Sequence, residues 1–298
     1  MKYGRERGCA MQYVLVALVV LVVLALLLPG TGADAASVAP AETAAKINRL
    51  MEASGINHSV KQMLPGMLSS FDETPQQEPL PPQVRAAMRD AAMQSFQGAP
   101  MLEKVRARLS GGLNEKQIDD TLSWLDTPLG RRITELENAA NDADAMPKIQ
   151  AYAQDLQKRP ASGSRLRLIQ DLNRATGAQE MINQITEAVM LATALGFNAA
   201  QPRQQQLPAD TLRKQIKSSL PEIQRETEQF VTATLLYTYR PLADKEIETY
   251  IQFSRSASGA AYNKSATAGV SDALLDAIAR FMTAIPKAME RTKGAVGA

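Results

Sequence analysis

The chain has 298 residues, 45% of them hydrophobic and 21% charged, with 33 basic and 31 acidic side chains for a formal net charge of +2. That balance excludes the concentrated basic face that nucleic acid demands, and the length leaves room for one large or two small domains. One cysteine, Cys9, and one histidine, His58, exclude an internal disulfide and a His-rich zinc site.

Lys2, Arg5 and Arg7 precede an uncharged apolar run from Tyr13 to Leu28, which is followed by Pro29-Gly30 and Ala33-Asp34-Ala35. A basic start, an apolar centre and an Ala-x-Ala site form the secretory signal pattern. Residues 1–35 therefore read as a signal peptide, with Ala36 as the mature N-terminus and the periplasm as the destination. The other reading is an uncleaved inner-membrane anchor over residues 13–28. Only then does the chain touch a membrane. Cys9 lies ahead of the apolar run, so it is not a lipoprotein cysteine, and its loss with the signal leaves no thiolate ligand or nucleophile.

Ala, Leu, Met, Gln, Glu, Lys and Arg dominate the remainder, and no stretch alternates apolar with polar for long, which predicts an all-α fold. The first helix starts near Pro40 and places Ile47, Leu50 and Met51 on one face, stopping at Gly55. The second carries Val60, Met63, Leu64, Met67 and Leu68, and Pro65-Gly66 is expected to kink or break it. Adding 122 to these positions reaches Ile169, Leu172, Gly177, Ile182, Ile185, Val189 and Met190, which repeat the pattern and its stop. Pro- and Gln-rich loops follow at residues 72–82 and 198–208. Amphipathic helices resume with Val84, Met88, Ala92 and Phe96 in one half and Leu212, Ile216 and Leu220 in the other. Pro100 and Pro221 are placed at or near the start of the next helix. That helix carries Leu102, Val105 and Leu109, or Phe230, Val231, Leu235 and Leu236.

Residues 113–136 are then written a second time, in character, as residues 242–265. An offset of 129 carries Leu113 to Leu242, Ile118 to Ile247, Leu122 to Ile251, Trp124 to Phe253 and Gly130 to Gly259. Asn114 with Gln117 makes a capping box, and Asp244 begins the counterpart less well because Ile247 cannot reach back. Thr127-Pro128 reads as a cap with Pro at the first helical position, a part taken by Ser256 or Ser258 in the second copy. The offset continues through Met146/Leu275, Ile149/Ile278, Tyr152/Phe281 and Leu156/Ile285. The expected organisation is two tandem helical repeats, residues 46–157 and 168–286, with a linker over 158–167 and a C-terminal tail over 287–298. Each repeat is long enough to bury a core of its own.

The stretch Tyr239 to Gly259, with its first-copy counterpart ending Thr127-Pro128-Leu129-Gly130, resembles the DUF2059 family, an exported bacterial domain of unknown function. Members of that family carry an aromatic residue, a Phe/Leu-Thr-x-x-Glu-Leu helix start, then Phe-Tyr-x-Ser-Pro-x-Gly. Thr127 to Gly130 matches the Ser-Pro-x-Gly turn, whereas Ser256-Ala257-Ser258-Gly259 lacks the proline. The resemblance implies two tandem copies of a helical, envelope-located domain. It implies no catalytic residue and no cofactor.

Chemistry-bearing clusters are sparse. His58 reads as a solvated first-turn residue. Asp119 and Asp120, about 100° apart on a helix, read as a solvated face, and neither they nor Asp142 with Asp144 have the spacing of a calcium loop. Glu42, Glu52, Glu115, Glu246 and Glu248 offer no pair singled out for the acid–base cleavage of sugars. Gly111-Gly112 reads as a turn. Trp124 and Phe253, at equivalent positions, either line a groove for an apolar segment or another envelope protein, or pack inward as core. Met51, Met63, Met67, Met88, Met93 and Met101 crowd the first copy, fitting an adaptable surface or a loosely filled core. The expectation is a non-catalytic envelope protein acting as an interaction or structural module, with a glycan hydrolase and a membrane-anchored accessory protein as the other readings.

Overall fold

A computed structural model describes residues 41–73, 82–142, 144–199 and 203–296, so the proposed signal segment lies outside the described residues. Among the described residues the fold is all-α. The first half runs α1 (Ala41–Ala53), α2 (Ile56–Glu73), α3 (Pro82–Ser95), α4 (Gly98–Gly112), α5 (Glu115–Leu125), α6 (Pro128–Asn141) and α7 (Ala145–Lys158). The second half runs α8 (Gly163–Thr176), α9 (Ala178–Ala199), a 3-10 turn at Arg203–Gln205, α10 (Ala209–Thr238), α11 (Asp244–Arg255) and α12 (Ala257–Val296).

Local chemistry sets most boundaries. Gly55 and Gly177 take φ of 77° and 71°, the left-handed conformation that ends a helix without a Cβ penalty. The Asn114 side chain accepts from the Gln117 amide at 2.9 Å while the Asn114 amide donates to Gln117 Oε1 at 3.0 Å, which fixes the start of α5. Its counterpart differs from expectation: the cap of α11 is Ala243, whose amide donates to Glu246 Oε2 at 2.7 Å. Only the reciprocal half of the box forms, because alanine has nothing to offer the amide ahead of it. Thr127 Oγ1 accepts from the Gly130 amide at 2.9 Å, and Ser256 Oγ accepts from the Gly259 amide at 3.0 Å. At both turns glycine is obligatory: a Cβ on Gly130 would meet Trp124 O at 2.2 Å, and one on Gly259 would meet Phe253 O at 2.0 Å.

Several helices run on where a break was expected. Pro65 lies inside α2 and Pro221 inside α10, each facing solvent, so the missing N–H is lost without a break in the chain path. The stretch expected as a tail from residue 287 is helical to Val296. Gly111 and Gly112 form the last turn of α4 rather than a loop. A Cβ on Gly112 would meet Ser265 Oγ at 2.2 Å, and one on Gly269 would meet Val105 Cα at 2.8 Å, so the two glycines allow α4 and α12 to cross closely.

That crossing decides the architecture. The first core is built from α1 to α5 together with Met181, Ile185 and Val189 of α9 and with Tyr262, Ala266, Val270, Leu274, Ile278 and Phe281 of α12. The second core takes Ile133 and Ala140 of α6, with Tyr152 and Leu156 of α7 against it, and joins them to Ile169, Leu172, Ile182, Val231, Leu235, Tyr239, Ile247 and Ile251. The last helices of each half thus complete the core of the other half. Met51, Met63, Met67 and Met101 are buried in the first core, while Met93 is 48% exposed.

Candidate functional site

Among the described residues, two places stand out for the side chains that they gather. The first is the seam between α5, α6, α10 and α11. Trp124 of α5 and Phe253 of α11, both half-buried, stack with ring centroids 4.6 Å apart and planes 11° apart. Tyr250 stacks on Trp124 at 6.1 Å, and Tyr239 meets Tyr250 edge-on at 6.1 Å. The two residues singled out from the repeat are therefore in contact, each ring serving as the other's partner. Such ring pairs contribute about 0.5–1.5 kcal/mol beyond their buried area.

The aromatic row leads to Glu137 of α6. Tyr239 Oη donates to Glu137 Oε1 at 2.7 Å, and Tyr250 Oη donates to the same oxygen at 3.1 Å. Burial pushes the Glu137 carboxyl up to about 7, with the two hydroxyls pulling the other way. Burial, then the Glu137 charge, holds both tyrosines well above their ordinary value. Around this centre, Arg132 Nη1 pairs with Glu246 at 2.8 Å and its Nη2 donates to the Pro241 carbonyl at 2.7 Å. Arg165 reaches Asp244 at 2.7 Å and the Tyr239 carbonyl at 2.5 Å. The charge-bearing groups of the seam hold α6 and α8 to the turn between α10 and α11 and to the first turn of α11.

None of the readings drawn from composition or motif singled out Glu137. One signal was present: it stands four residues after Ile133 and three before Ala140, a carboxylate on the apolar face of its helix. The partners Tyr239 and Tyr250 come from elements about a hundred residues away, which local spacing does not reveal. His58 is likewise engaged across the fold, its Nε2 lying 2.9 Å from Asp142 Oδ1, beside Asn141 Nδ2 donating to Ser59 Oγ at 3.1 Å. Among the described residues no group of three or more His, Cys, Asp or Glu is placed to hold a metal ion. No described helix is long and apolar enough to cross a membrane.

The second place is an open cleft of about 570 Å³ where α8, α11 and the start of α12 meet. Arg174, Arg255 and Lys264 line it, one from each helix, over a floor that includes Ala175, Ala260 and Ala261. Beside it, Asp171 pairs with Arg174 one turn along α8 and lies 3.8 Å from Arg255 through the same Oδ1. Ser254, the remaining lining residue, donates back to the Tyr250 carbonyl at 2.9 Å.

No curated protein and no solved structure matches the chain. Residues 99–159 match the model of a family described as an uncharacterized protein conserved in bacteria, DUF2059. The matched stretch spans α4 to α7 and so contributes to both cores, since α4 and α5 belong to the first and α6 and α7 to the second.

Proposed function

We propose that the chain is an exported, non-catalytic helical module of the bacterial envelope, made of two copies of one unit that have exchanged their last helices. The single observation that carries the reading is the use made of the seam. Its most chemically potent group, the Glu137 carboxyl, accepts from two tyrosines that belong to the opposite half, and the surrounding arginines are engaged in the same joint. A group held in this way rigidifies the joint in which it stands. The open cleft, lined by cations and alanines, is the reverse of the two facing carboxylates about 5–9.5 Å apart by which glycosidases work.

The duplication draws support from coincidences at a constant offset. α5 and α11 start 129 residues apart, as do α6 and α12, and the Thr127 and Ser256 caps make the same bonds to the same relative positions. Arg49 of α1 pairs with Asp126 after α5, and at the corresponding positions Asp171 of α8 faces Arg255 of α11 with the charges reversed. The site of a pair is kept while its polarity is not, as expected of copies that diverged on one framework.

Export is tested by fractionating cells that produce the full chain and sequencing the N-terminus of the mature form. Ala36 as first residue in the periplasmic extract supports the reading. Recovery in the membrane fraction with residues 13–28 retained overturns the soluble form in favour of an anchored one. Recovery in the cytoplasm overturns both.

A further inference from the structure

We propose that the cleft between α8, α11 and the start of α12 binds a phosphate-bearing ligand, its anionic group held by Arg174, Arg255 and Lys264. This deepens the envelope reading above and rests on it for the source of the ligand and for the comparison between the two halves. Three separate helices each bring one cation to a single cleft, and the alanine floor leaves the space between them open. A phosphate ester carries about −1.5 to −2 charges near neutrality and offers several acceptor oxygens, which suits two planar guanidinium forks and an ammonium. Asp171, beside the cleft, is shared by the two arginines, and at 3.8 Å it holds Arg255 weakly. It orients the arginines without satisfying their donors.

Size and lining narrow the class. A volume of about 570 Å³ falls inside the range of about 300–1,000 Å³ typical of small-molecule pockets and exceeds what a bare phosphate fills. The lining holds no aromatic ring on which a nucleobase would stack. A phosphate on a small polar body, such as a glycerol or sugar, fits best.

The other half of the chain provides an internal control. The positions equivalent to Arg174, Arg255 and Lys264 are Glu52, Asp126 and Glu135, and those equivalent to Ala260 and Ala261 are Arg131 and Arg132. The same framework therefore carries acids and two long side chains where the second half carries three cations and open space. The cationic cleft is a property of these substitutions rather than of the shared helical path.

The test uses the full mature chain at about 0.15 M salt, where long-range attraction between exposed charges is damped. Calorimetric titration with inorganic phosphate and with glycerol 3-phosphate is run beside co-sedimentation with vesicles of phosphatidylglycerol or of phosphatidylcholine. The expected result is saturable binding to a phosphate ester or to the anionic vesicles. Arg174→Gln and Arg255→Gln are expected to weaken it by about ten- to a hundredfold, the loss of one charge-assisted contact. Arg213→Gln, on α10 and paired there with Asp210, is expected to leave it unchanged. Binding of glycerol 3-phosphate identifies a soluble ester, and binding of the anionic vesicles alone identifies a lipid headgroup. No saturable binding of any probe overturns the proposal, and so does an equal loss in Arg213→Gln. Unchanged thermal unfolding of the variants shows that a loss is not a loss of fold. A failure here leaves the fractionation result untouched, so the two readings fail separately.

Discussion

Positions 137 and 266 stand 129 residues apart on helices that cross into opposite cores, and the two cores treat them differently. α12 sends Ala266 into the first core, where it is fully buried, while α6 sets the half-buried Glu137 against the tyrosines of the second. Where the second core supplies Tyr239 and Tyr250 as donors, the positions 129 residues earlier hold Ser110 and Thr121, and Thr121 donates to its own helix at Gln117 O. A buried carboxyl persists only with its partners, so acid and donors stand together in one core and are both missing from the other. Chain breaks follow the same logic. At the end of α6, Asn141 and Asp142 are drawn to Ser59 and His58, and the helix stops; 129 residues on, α12 has Val270 and Ser271 and continues.

The comparison is broken most forcefully through the cores themselves. Leu109→Ala in the first core and Leu235→Ala in the second are each expected to cost about 2–5 kcal/mol. If the last helices are exchanged, both lower one shared transition in chemical denaturation. Two separate transitions, each sensitive to one variant, would sink the exchanged arrangement. A protease site placed in the linker between Arg159 and Gly163 sharpens the point: after cleavage the halves are expected to remain one species on gel filtration, and their separation would count against a shared core.

The next largest effect separates the cores by pH. The folded state holds the Glu137 proton up to about 7 against an ordinary value of 4.5, so between those values it binds more protons than the unfolded chain. Stability is therefore expected to fall as pH rises through that window, and the contribution of the proton is gone above it. At 1.36 kcal/mol per unit the loss is about 3 kcal/mol at most. Glu137→Gln is expected to flatten the dependence, measured as denaturation midpoints from pH 4.5 to 7.5. An unchanged slope would remove Glu137 from the account. No matching effect is expected from Ala266.

Gly269→Ala tests the crossing of α4 and α12. The added Cβ meets the Val105 backbone, so a cost of about 1–3 kcal/mol is expected. A neutral result in thermal unfolding would mean that the helices part easily there. The smallest effect belongs to the reversed pairs. Exchanging the charges in Arg49→Asp with Asp126→Arg is expected to restore within about 1 kcal/mol whatever either single change costs, because the pair is largely solvated. A double variant no better than the singles would argue that the two pairs are not equivalent.

Local chemistry settles which face of nearly every helix is buried and where most helices begin and end. Ile47, Leu50 and Met51, or Ile118, Leu122 and Leu125, recur at helical spacing, and the caps at Asn114 and Thr127 and the stops at Gly55 and Gly177 act within one turn of chain. Which core each face enters is settled by long-range packing. An apolar stripe states that a face must leave water, and says nothing of the helix that covers it. For that reason the crossing of α12 into the first core, the stacking of Trp124 on Phe253, the Glu137 joint and the convergence of Arg174, Arg255 and Lys264 were all beyond local reading. Each depends on residues far apart in the chain being brought within contact distance, and periodicity carries no record of that.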